Sequence, residues 1–201
     1  MQKFIITAKI LYFMIIGLTG KNAAGKGEIA NHLKSKGFVY FSLSDALRDE
    51  ATKRGLDHSR DTLINLGNEM RKKSGSGILA KRINEKILES KKFFPEKNFF
   101  VIDSIRNPGE IKELKKNEGF LLVGVVTDEK IRFQRLLKRG RIGDAVTFED
   151  FKKQEDRENN NEASGQQLDR CLELADKHIS SNGTIWEANK EFDDWLKSLK
   201  K

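Results

Sequence analysis

The chain has 201 residues, 37% of them hydrophobic and 34% charged, with a formal net charge of +8 at pH 7. Length and composition fit one soluble α/β domain, and we expect it to be a monomer or a homodimer. The lone cysteine, Cys171, excludes an internal disulfide, so we expect a cytoplasmic protein. The lysines are spread along the chain instead of being gathered on one arm, so the charge does not favour nucleic-acid binding and fits a cleft for anionic nucleotides.

Residues 1–13 precede the first predicted element. Their apolar stretches are interrupted by Lys9 and are shorter than the roughly 20 apolar residues that a membrane helix needs. No small-residue cleavage site precedes Met14, which argues against a signal peptide. We therefore expect residues 1–13 to be an extension outside the fold and residues 14–201 to form one domain without a membrane segment.

Strands and helices alternate along the rest of the chain. Short apolar runs predict strands at residues 14–19, 38–41, 98–103, 120–126 and 178–180. Amphipathic spacing predicts helices at residues 25–36, 45–54, 62–73, 78–91, 108–117, 128–139, 148–157, 168–175 and 185–199. Because strands separated by helices form parallel sheets, this order predicts a doubly wound α/β sheet that is covered on both faces.

A glycine-rich segment joins the first predicted strand to the first helix and matches the pattern G-x-x-x-x-G-K. Such a loop turns successive backbone N–H groups toward a phosphate at the start of a helix, and its lysine neutralises charge on the β- and γ-phosphates. The sequence therefore predicts ATP binding at this loop. The residues predicted to bind ATP here are Gly20, Asn22, Ala23, Ala24, Gly25, Lys26, Gly27 and Glu28.

The loop lacks the hydroxyl that normally ligates Mg²⁺, because position 27 is Gly27 and the next residue is Glu28. Magnesium would then be held by the phosphates and by waters that bond to carboxylates. Asp103, at the end of a predicted central strand, is the first candidate for this role through water, and Glu28 is the second.

Several motifs carry a family resemblance. Gly25-Lys-Gly27, together with Ser44-Asp-Ala-Leu-Arg48, resembles the nucleoside monophosphate kinase superfamily. Over most of residues 14–186 the chain is similar to an archaeal family of adenylate-kinase-like ATPases related to the phage deoxynucleoside monophosphate kinases. That likeness rests on Arg60-x-x-Leu-x-x-x-Gly-x-x-x-Arg71, Ile102-Asp-Ser-Ile-Arg-Asn-Pro-Gly-Glu110 and Arg132-Phe-x-Arg-x-x-x-Arg-x-Arg141.

The resemblance implies a three-layer P-loop NTPase fold with a mostly parallel five-stranded sheet. It also implies a helical acceptor-binding insertion over about residues 43–91 and a short lid over about residues 139–147. In such kinases lid arginines close over the transferring phosphoryl group and exclude water, so Arg139 and Arg141 are predicted to be catalytic together with Lys26 and Asp103.

The acceptor side admits two interpretations. Arg48, Arg71 and Arg106 would position an acceptor phosphate, which is already anionic and needs no base. A third likeness, to dephospho-CoA kinase, is carried by Gly17-Leu-Thr-Gly20 and by Ala175-Asp176 with Asn182-Gly-Thr184. It implies that Asn182 lies against the adenine of ATP and that Asp45 is a base toward a ribose hydroxyl.

Because three arginines suit a phosphate better than an alcohol, the sequence predicts an ATP- and Mg-dependent kinase of nucleotide metabolism that phosphorylates a nucleoside monophosphate or a related nucleotide. Transfer to a ribose hydroxyl, as in dephospho-CoA kinase, is the alternative within the kinases. The alternative of another class is a non-catalytic ATP-binding regulator or slow ATPase with a basic surface that binds nucleic acid.

Overall fold

The computed structural model describes residues 13–140, 143–159 and 162–199. Its strands are β1 (Met14–Thr19), β2 (Val39–Ser42), β3 (Phe99–Ile105), β4 (Phe120–Val126) and β5 (Lys177–Ser180). They form one sheet in the order β2-β3-β1-β4-β5, and every neighbouring pair is parallel. The predicted five-stranded α/β fold is confirmed, and the sheet is parallel throughout.

The predicted helices are also found, with ends that differ from the prediction by at most three residues. They are α1 (Lys26–Ser35), α2 (Leu43–Lys53), α3 (Arg60–Ser74), α4 (Ile78–Phe93), α5 (Pro108–Leu114), α6 (Glu129–Arg139), α7 (Phe148–Glu158), α8 (Leu168–Glu173) and α9 (Ile185–Ser198). Helix α2 begins two residues before its predicted start, because the side chain of Ser42 accepts the backbone N–H of Asp45 and caps the helix at Leu43. No helix among the described residues has the length and apolar character to cross a membrane.

The sheet is covered on both faces, as a three-layer fold requires. On one face, alternate strand residues such as Ile15 and Phe100 pack against helices α2 to α5. On the other face, residues such as Ile16 and Val125 pack against α1 and α9. Cys171 is fully buried in the first of these layers.

Phe13 corrects the predicted start of the fold. Its ring lies 5.9 Å from that of Phe100, and the Nζ atom of Lys91 lies 4.1 Å from its centroid. Phe13 is partly buried and packs against the core layer that contains Phe100, so the packed part of the chain begins one residue before the predicted start. Residues 1–12, which the sequence analysis also placed outside the fold, lie outside the described residues.

Strand β3 contains a bulge that the sequence did not predict. Gly17 of β1 faces Ile102 of β3, whereas Thr19 faces Ile105, so β3 has one more residue than β1 in this interval. The extra residue reverses the side-chain alternation, and Ile105 therefore joins the same core layer as Ile102. The predicted end of the strand at Asp103 is wrong by two residues, and Asp103 lies at the bulge.

Candidate functional site

The loop between β1 and α1 has a backbone that only small residues can follow. Gly20 has a φ of 141° and Gly25 a φ of 99°. A Cβ atom at Gly20 would lie 2.4 Å from the carbonyl oxygen of Val125, and one at Gly25 would lie 2.6 Å from Ser181 Oγ. Ala23 is also left-handed, with a φ of 58°. This loop therefore keeps a strained, concave backbone at the N-terminus of α1, a geometry that binds phosphate.

Lys26 lies across the mouth of this loop. Its Nζ atom donates to the carbonyl oxygens of Gly20 at 2.7 Å and Lys21 at 2.9 Å. Burial lowers the pKa of Lys26 to about 8; the nearby charge of Asp103 opposes this shift, and that of Arg106 adds to it. The ammonium group lacks full compensation by its neighbours, so an anion in the loop would supply the missing charge.

Asp103 stands beside this lysine at the bulge of β3. Its Oδ1 atom accepts the N–H of Ser104 at 2.6 Å, and its Oδ2 atom accepts the hydroxyl of Tyr40 at 3.4 Å. Burial and then the charge of Asp103 raise the pKa of Tyr40 to about 12, so Tyr40 remains a donor to the carboxylate.

The loop itself offers few ligands to a metal. No group of three or more His, Cys, Asp or Glu side chains within the described parts of the chain is arranged to hold an ion. Glu28 is exposed in the first turn of α1, and a Cβ atom at Gly27 would meet nothing within 4 Å. One nearby carboxylate, Asp103, with open space at position 27, fits a magnesium ion that keeps most of its ligands as water and phosphate oxygens.

The segment after β5 closes the loop from the other side. Arg135 of α6 donates to the carbonyl oxygen of Ser181 at 2.6 Å, and Ser181 is the residue that leaves no room for a side chain at Gly25. The side chain of Asn182, predicted to contact adenine, accepts the backbone N–H of Asp128 at 2.8 Å. Asn182 thus joins the β4–α6 and β5–α9 connections, next to the loop.

The predicted lid is held by ion pairs. Arg139 donates from Nε and Nη2 to the carboxylate of Asp144, at 2.7 to 3.0 Å, and from Nη1 to Asn22 Oδ1 at 3.4 Å. Arg132 is buried, pairs with Glu155 through both terminal nitrogens, and donates to the carbonyl oxygen of Thr127 at 3.0 Å. Arg141, the other predicted lid arginine, lies outside the described residues.

A cavity of about 220 Å³ opens between the loop, β3 and helices α2 and α3. Five arginines line it: Arg48, Arg60, Arg71, Arg106 and Arg139. Apolar side chains form another part of its wall: Leu43, Leu47, Leu63, Ile64 and Leu79. The structure thus brings together the three arginines predicted for the acceptor and the described lid arginine, with an apolar surface beside them.

Most of this positive charge is already paired. The arginine–carboxylate pairs are Arg48 with Asp45 at 2.7 Å, Arg60 with Glu158 at 2.5 Å, Arg71 with Glu110 at 2.8 Å and Arg139 with Asp144 at 2.7 Å. Arg106 differs, because its Nη1 atom donates to the amide oxygen of Gln166 at 3.0 Å and lies 3.9 Å from the Glu158 carboxylate. Its guanidinium is the least neutralised of the five and the best placed to bind an anion.

Arg71 and Arg106 are connected through one buried carboxylate. Glu110 is fully buried; it accepts Nε and Nη2 of Arg71 and the backbone N–H groups of Arg106 and Asn107. Arg71 therefore reaches the cavity wall with most of its donors engaged and fixes the turn from which Arg106 extends. Breaking such a buried pair on one side leaves an uncompensated charge.

Asp45 occupies a different position from the other predicted acceptor residues. Its side chain is 57% exposed and accepts a hydrogen bond from Arg48, and Asp45 is not part of the cavity lining. A base must lie within hydrogen-bond reach of the hydroxyl that it deprotonates. This geometry gives little support to Asp45 as a base.

Sequence reasoning missed Arg60, Asp144, Glu158 and Gln166 as parts of this site. Arg60 was visible as the first residue of a family motif, although no role followed from it. Glu158 ends an acidic helix that has the composition of a solvated surface, and only the packing of α7 buries it. Its signal in the sequence is therefore weak.

Three comparisons place the chain among known proteins. A family model described as an AAA domain matches residues 19–152. The chain is 32% identical over 187 residues to a UPF0200 protein of Methanothermobacter thermautotrophicus, covering 92% of this chain and 90% of that protein. Its fold is similar to TT1252 from Thermus thermophilus (TM-score 0.60, 18% identity, 94% of this chain and 100% of that one). It is also similar to a shikimate kinase from Aquifex aeolicus (TM-score 0.50, 16% identity, 92% of this chain and 97% of that one). At such low sequence identity these two structures show only that the chain has a P-loop kinase-like fold.

Proposed function

We propose, from the premise that this chain belongs to the UPF0200 family and has a P-loop kinase-like fold, that it transfers the γ-phosphoryl group of ATP to the phosphate of a nucleoside monophosphate. The observation that carries the proposal is the arginine-lined cavity next to the phosphate loop. An oxygen of the acceptor phosphate bonds to Pγ, the bond from Pγ to the β–γ bridging oxygen breaks, and that oxygen keeps the electron pair.

The donor side fits a triphosphate. At Gly20 and Gly25 the neighbouring chain leaves no room for a Cβ atom, and these glycines give the loop the tight turn with which such loops direct backbone N–H groups at phosphate oxygens. Lys26 gains a counter-charge when the loop is filled. Magnesium, when bound, neutralises charge on the phosphate oxygens, and Asp103 would hold its waters.

The cavity fits an acceptor that has a phosphate and a flat base with apolar faces. Arg106 has the least compensated guanidinium in the cavity, whereas Leu47 and Leu63 offer an apolar wall on the same cavity. An acceptor phosphate needs positioning and no base. The ribose-hydroxyl alternative requires one, and the exposed, Arg48-bonded Asp45 supports it poorly.

The lid contributes charge and excludes water. Arg139 spans from Asp144 to Asn22 of the phosphate loop, so its guanidinium lies between that loop and the rest of the cavity wall. We expect it to leave Asp144 for the transferring phosphoryl group when both substrates are bound, and we expect Arg141 to act with it.

A product survey tests the proposal. Wild-type protein, Lys26→Ala and the exposed-site control Lys112→Ala are incubated with Mg-ATP and a panel of ribo- and deoxyribonucleoside monophosphates plus dephospho-CoA, and products are separated by chromatography. We expect a nucleoside diphosphate from wild type and the control, and none from Lys26→Ala.

Two outcomes would replace the proposal. Phosphorylation of dephospho-CoA alone would favour the hydroxyl acceptor. Intact ATP binding with no product across the panel would favour the regulator or slow ATPase. Salt-sensitive binding to DNA or RNA would then show that its basic surface binds nucleic acid.

A further inference from the structure

Ser104 combines a side chain with a backbone conformation that normally requires glycine. Its φ is 66°, and among the described residues only Ala23 also has a side chain at positive φ. Left-handed backbone is unfavourable for any residue with a Cβ atom, and glycine would avoid the penalty. Ala23 lies in the phosphate loop, and Ser104 lies in the wall of the arginine-lined cavity. Residues with such strained backbone are concentrated at sites where a ligand is bound.

The bulge of β3 explains how this conformation is used. The extra residue lets Asp103 contact Tyr40 while the next residue, Ser104, reaches the cavity. The N–H of Ser104 donates to Asp103 Oδ1 at 2.6 Å, so the same turn also orients that carboxylate. Without the bulge, regular alternation would place Ser104 in the core layer where Ile105 now packs.

The hydroxyl of Ser104 is left available for a ligand. Within the described parts of the chain it has no hydrogen-bond partner, in contrast to the hydroxyls of Thr19 and Tyr40 nearby. Arg71 and Arg106 line the same cavity. Both guanidinium groups present only donors, so a ligand oxygen that they bind is an acceptor, and a hydroxyl on the same cavity wall has to donate to it.

We infer that Ser104 is an acceptor-binding residue whose hydroxyl donates a hydrogen bond to an oxygen of the acceptor's phosphate. This inference rests on the proposed function, and it adds a second ligand for the group that Arg106 binds. The bulge then holds two adjacent residues in two roles, with Asp103 facing the donor and Ser104 facing the acceptor.

Two substitutions separate the hydroxyl from the backbone. Ser104→Ala removes the hydroxyl but keeps the Cβ atom and its backbone penalty, whereas Ser104→Gly removes both. For each variant, and for the exposed-site control Ser35→Ala, ADP formation is measured at saturating Mg-ATP against the concentration of the nucleoside monophosphate that gives the highest wild-type rate. It is then measured at a saturating concentration of that acceptor against the concentration of Mg-ATP. Melting temperatures are recorded in parallel.

We expect both variants to raise the acceptor KM by about tenfold, the effect of one lost hydrogen bond to a charged group, with kcat and the KM for ATP changed by less than about twofold. Ser104→Gly should melt at a higher temperature than Ser104→Ala, because glycine relieves the left-handed backbone. Ser35→Ala should behave as wild type.

Three outcomes would overturn the inference. An unchanged acceptor KM in Ser104→Ala, with an active wild type, would refute it and leave the proposed function intact. Similar rises in the KM for ATP and in the acceptor KM of Ser104→Ala, together with a lower melting temperature, would show that the hydroxyl has a structural role. If no nucleoside monophosphate stimulates the wild type or shifts its melting temperature, the proposed function fails, and this inference fails with it.

Discussion

In the phosphate loop the groups that we propose to face a ligand are backbone N–H groups, in a loop whose shape is fixed by glycine conformations at Gly20 and Gly25. In the neighbouring cavity the corresponding groups are long arginine side chains, and carboxylates hold most of them. The loop is therefore formed before a ligand arrives, whereas the cavity must exchange its internal carboxylates for the acceptor. This difference predicts that the affinity for ATP depends on the room around the loop backbone. It also predicts that the affinity for the acceptor depends on the carboxylates that pair with the arginines of the cavity.

The largest expected effect tests the role of space in the loop. Gly25→Ala places a Cβ atom 2.6 Å from Ser181 Oγ at a φ of 99°, whereas the same change at Gly27 meets nothing within 4 Å. We expect Gly25→Ala to weaken ATP binding by about a hundredfold, because small displacements of positioning groups have effects of that size, and Gly27→Ala to leave it nearly unchanged. Titration calorimetry measures both. Equal losses would show that the loop reshapes itself around its ligand.

The second prediction tests the role of charge in the cavity. Asp144 forms an ion pair with Arg139 and lies 3.6 Å from Arg60, so Asp144→Asn should release Arg139 to bind an anion and remove one of the two carboxylates near Arg60, which keeps its pair with Glu158. We expect the acceptor KM to fall by about tenfold, equivalent to about 1.4 kcal/mol, with ATP binding unchanged. Steady-state kinetics measure the effect, and the exposed Asp156→Asn is the matched control. A higher acceptor KM would mean that Asp144 binds the acceptor instead of competing with it.

The same difference explains what the sequence predicted well. The phosphate loop is encoded within eight consecutive residues, and its conformation follows from local glycine positions. The strands follow from short apolar runs, because a sheet buried on both faces needs them. The parallel pairing of the strands agrees with the predicted alternation of strands and helices, and the family resemblance is confirmed by the match to UPF0200 relatives.

The cavity is encoded by contacts between distant parts of the chain, which a single sequence does not display. Arg60 and Glu158 are 98 residues apart, and Arg71 and Glu110 are 39 apart. The bulge at Ser104 is equally hidden, because it depends on how β3 aligns with β1. Acidic and basic residues on helices suggest solvated faces until packing buries them. The arginines could therefore be predicted as a group, but their partners could not.

The third prediction concerns pH, which should affect only the donor side. The pKa of Lys26 is lowered from 10.5 to about 8, chiefly by burial. Protonated Lys26 binds the triphosphate, so ATP affinity should be constant below pH 8 and fall by up to about tenfold per pH unit above it. Arginines stay charged throughout this range, so the acceptor KM should remain level. Titrations from pH 6.5 to about 9.5 measure both, and a level profile for ATP would contradict the assignment to Lys26.

The shifted pKa also has a consequence for folding, with the sign fixed by linkage. Between pH 8 and 10.5 the unfolded chain binds more protons at Lys26 than the folded chain does, so the free energy of unfolding should rise with pH through this window. Lys26→Met, which has no titrating group there, should lack this rise in denaturant titrations.

The smallest expected effect concerns a substitution that adds a possible magnesium ligand to the phosphate loop. Gly27 stands where a hydroxyl commonly ligates magnesium, and the space around its Cα is open. We expect Gly27→Ser to lower the magnesium concentration for half-maximal activity by about threefold, because one hydroxyl would replace one of several water ligands. Gly27→Ala controls for the change in helix propensity. If serine and alanine have the same effect, the metal is held without any ligand at position 27. The carboxylate of Asp103 would then be the first candidate to orient the waters of the metal.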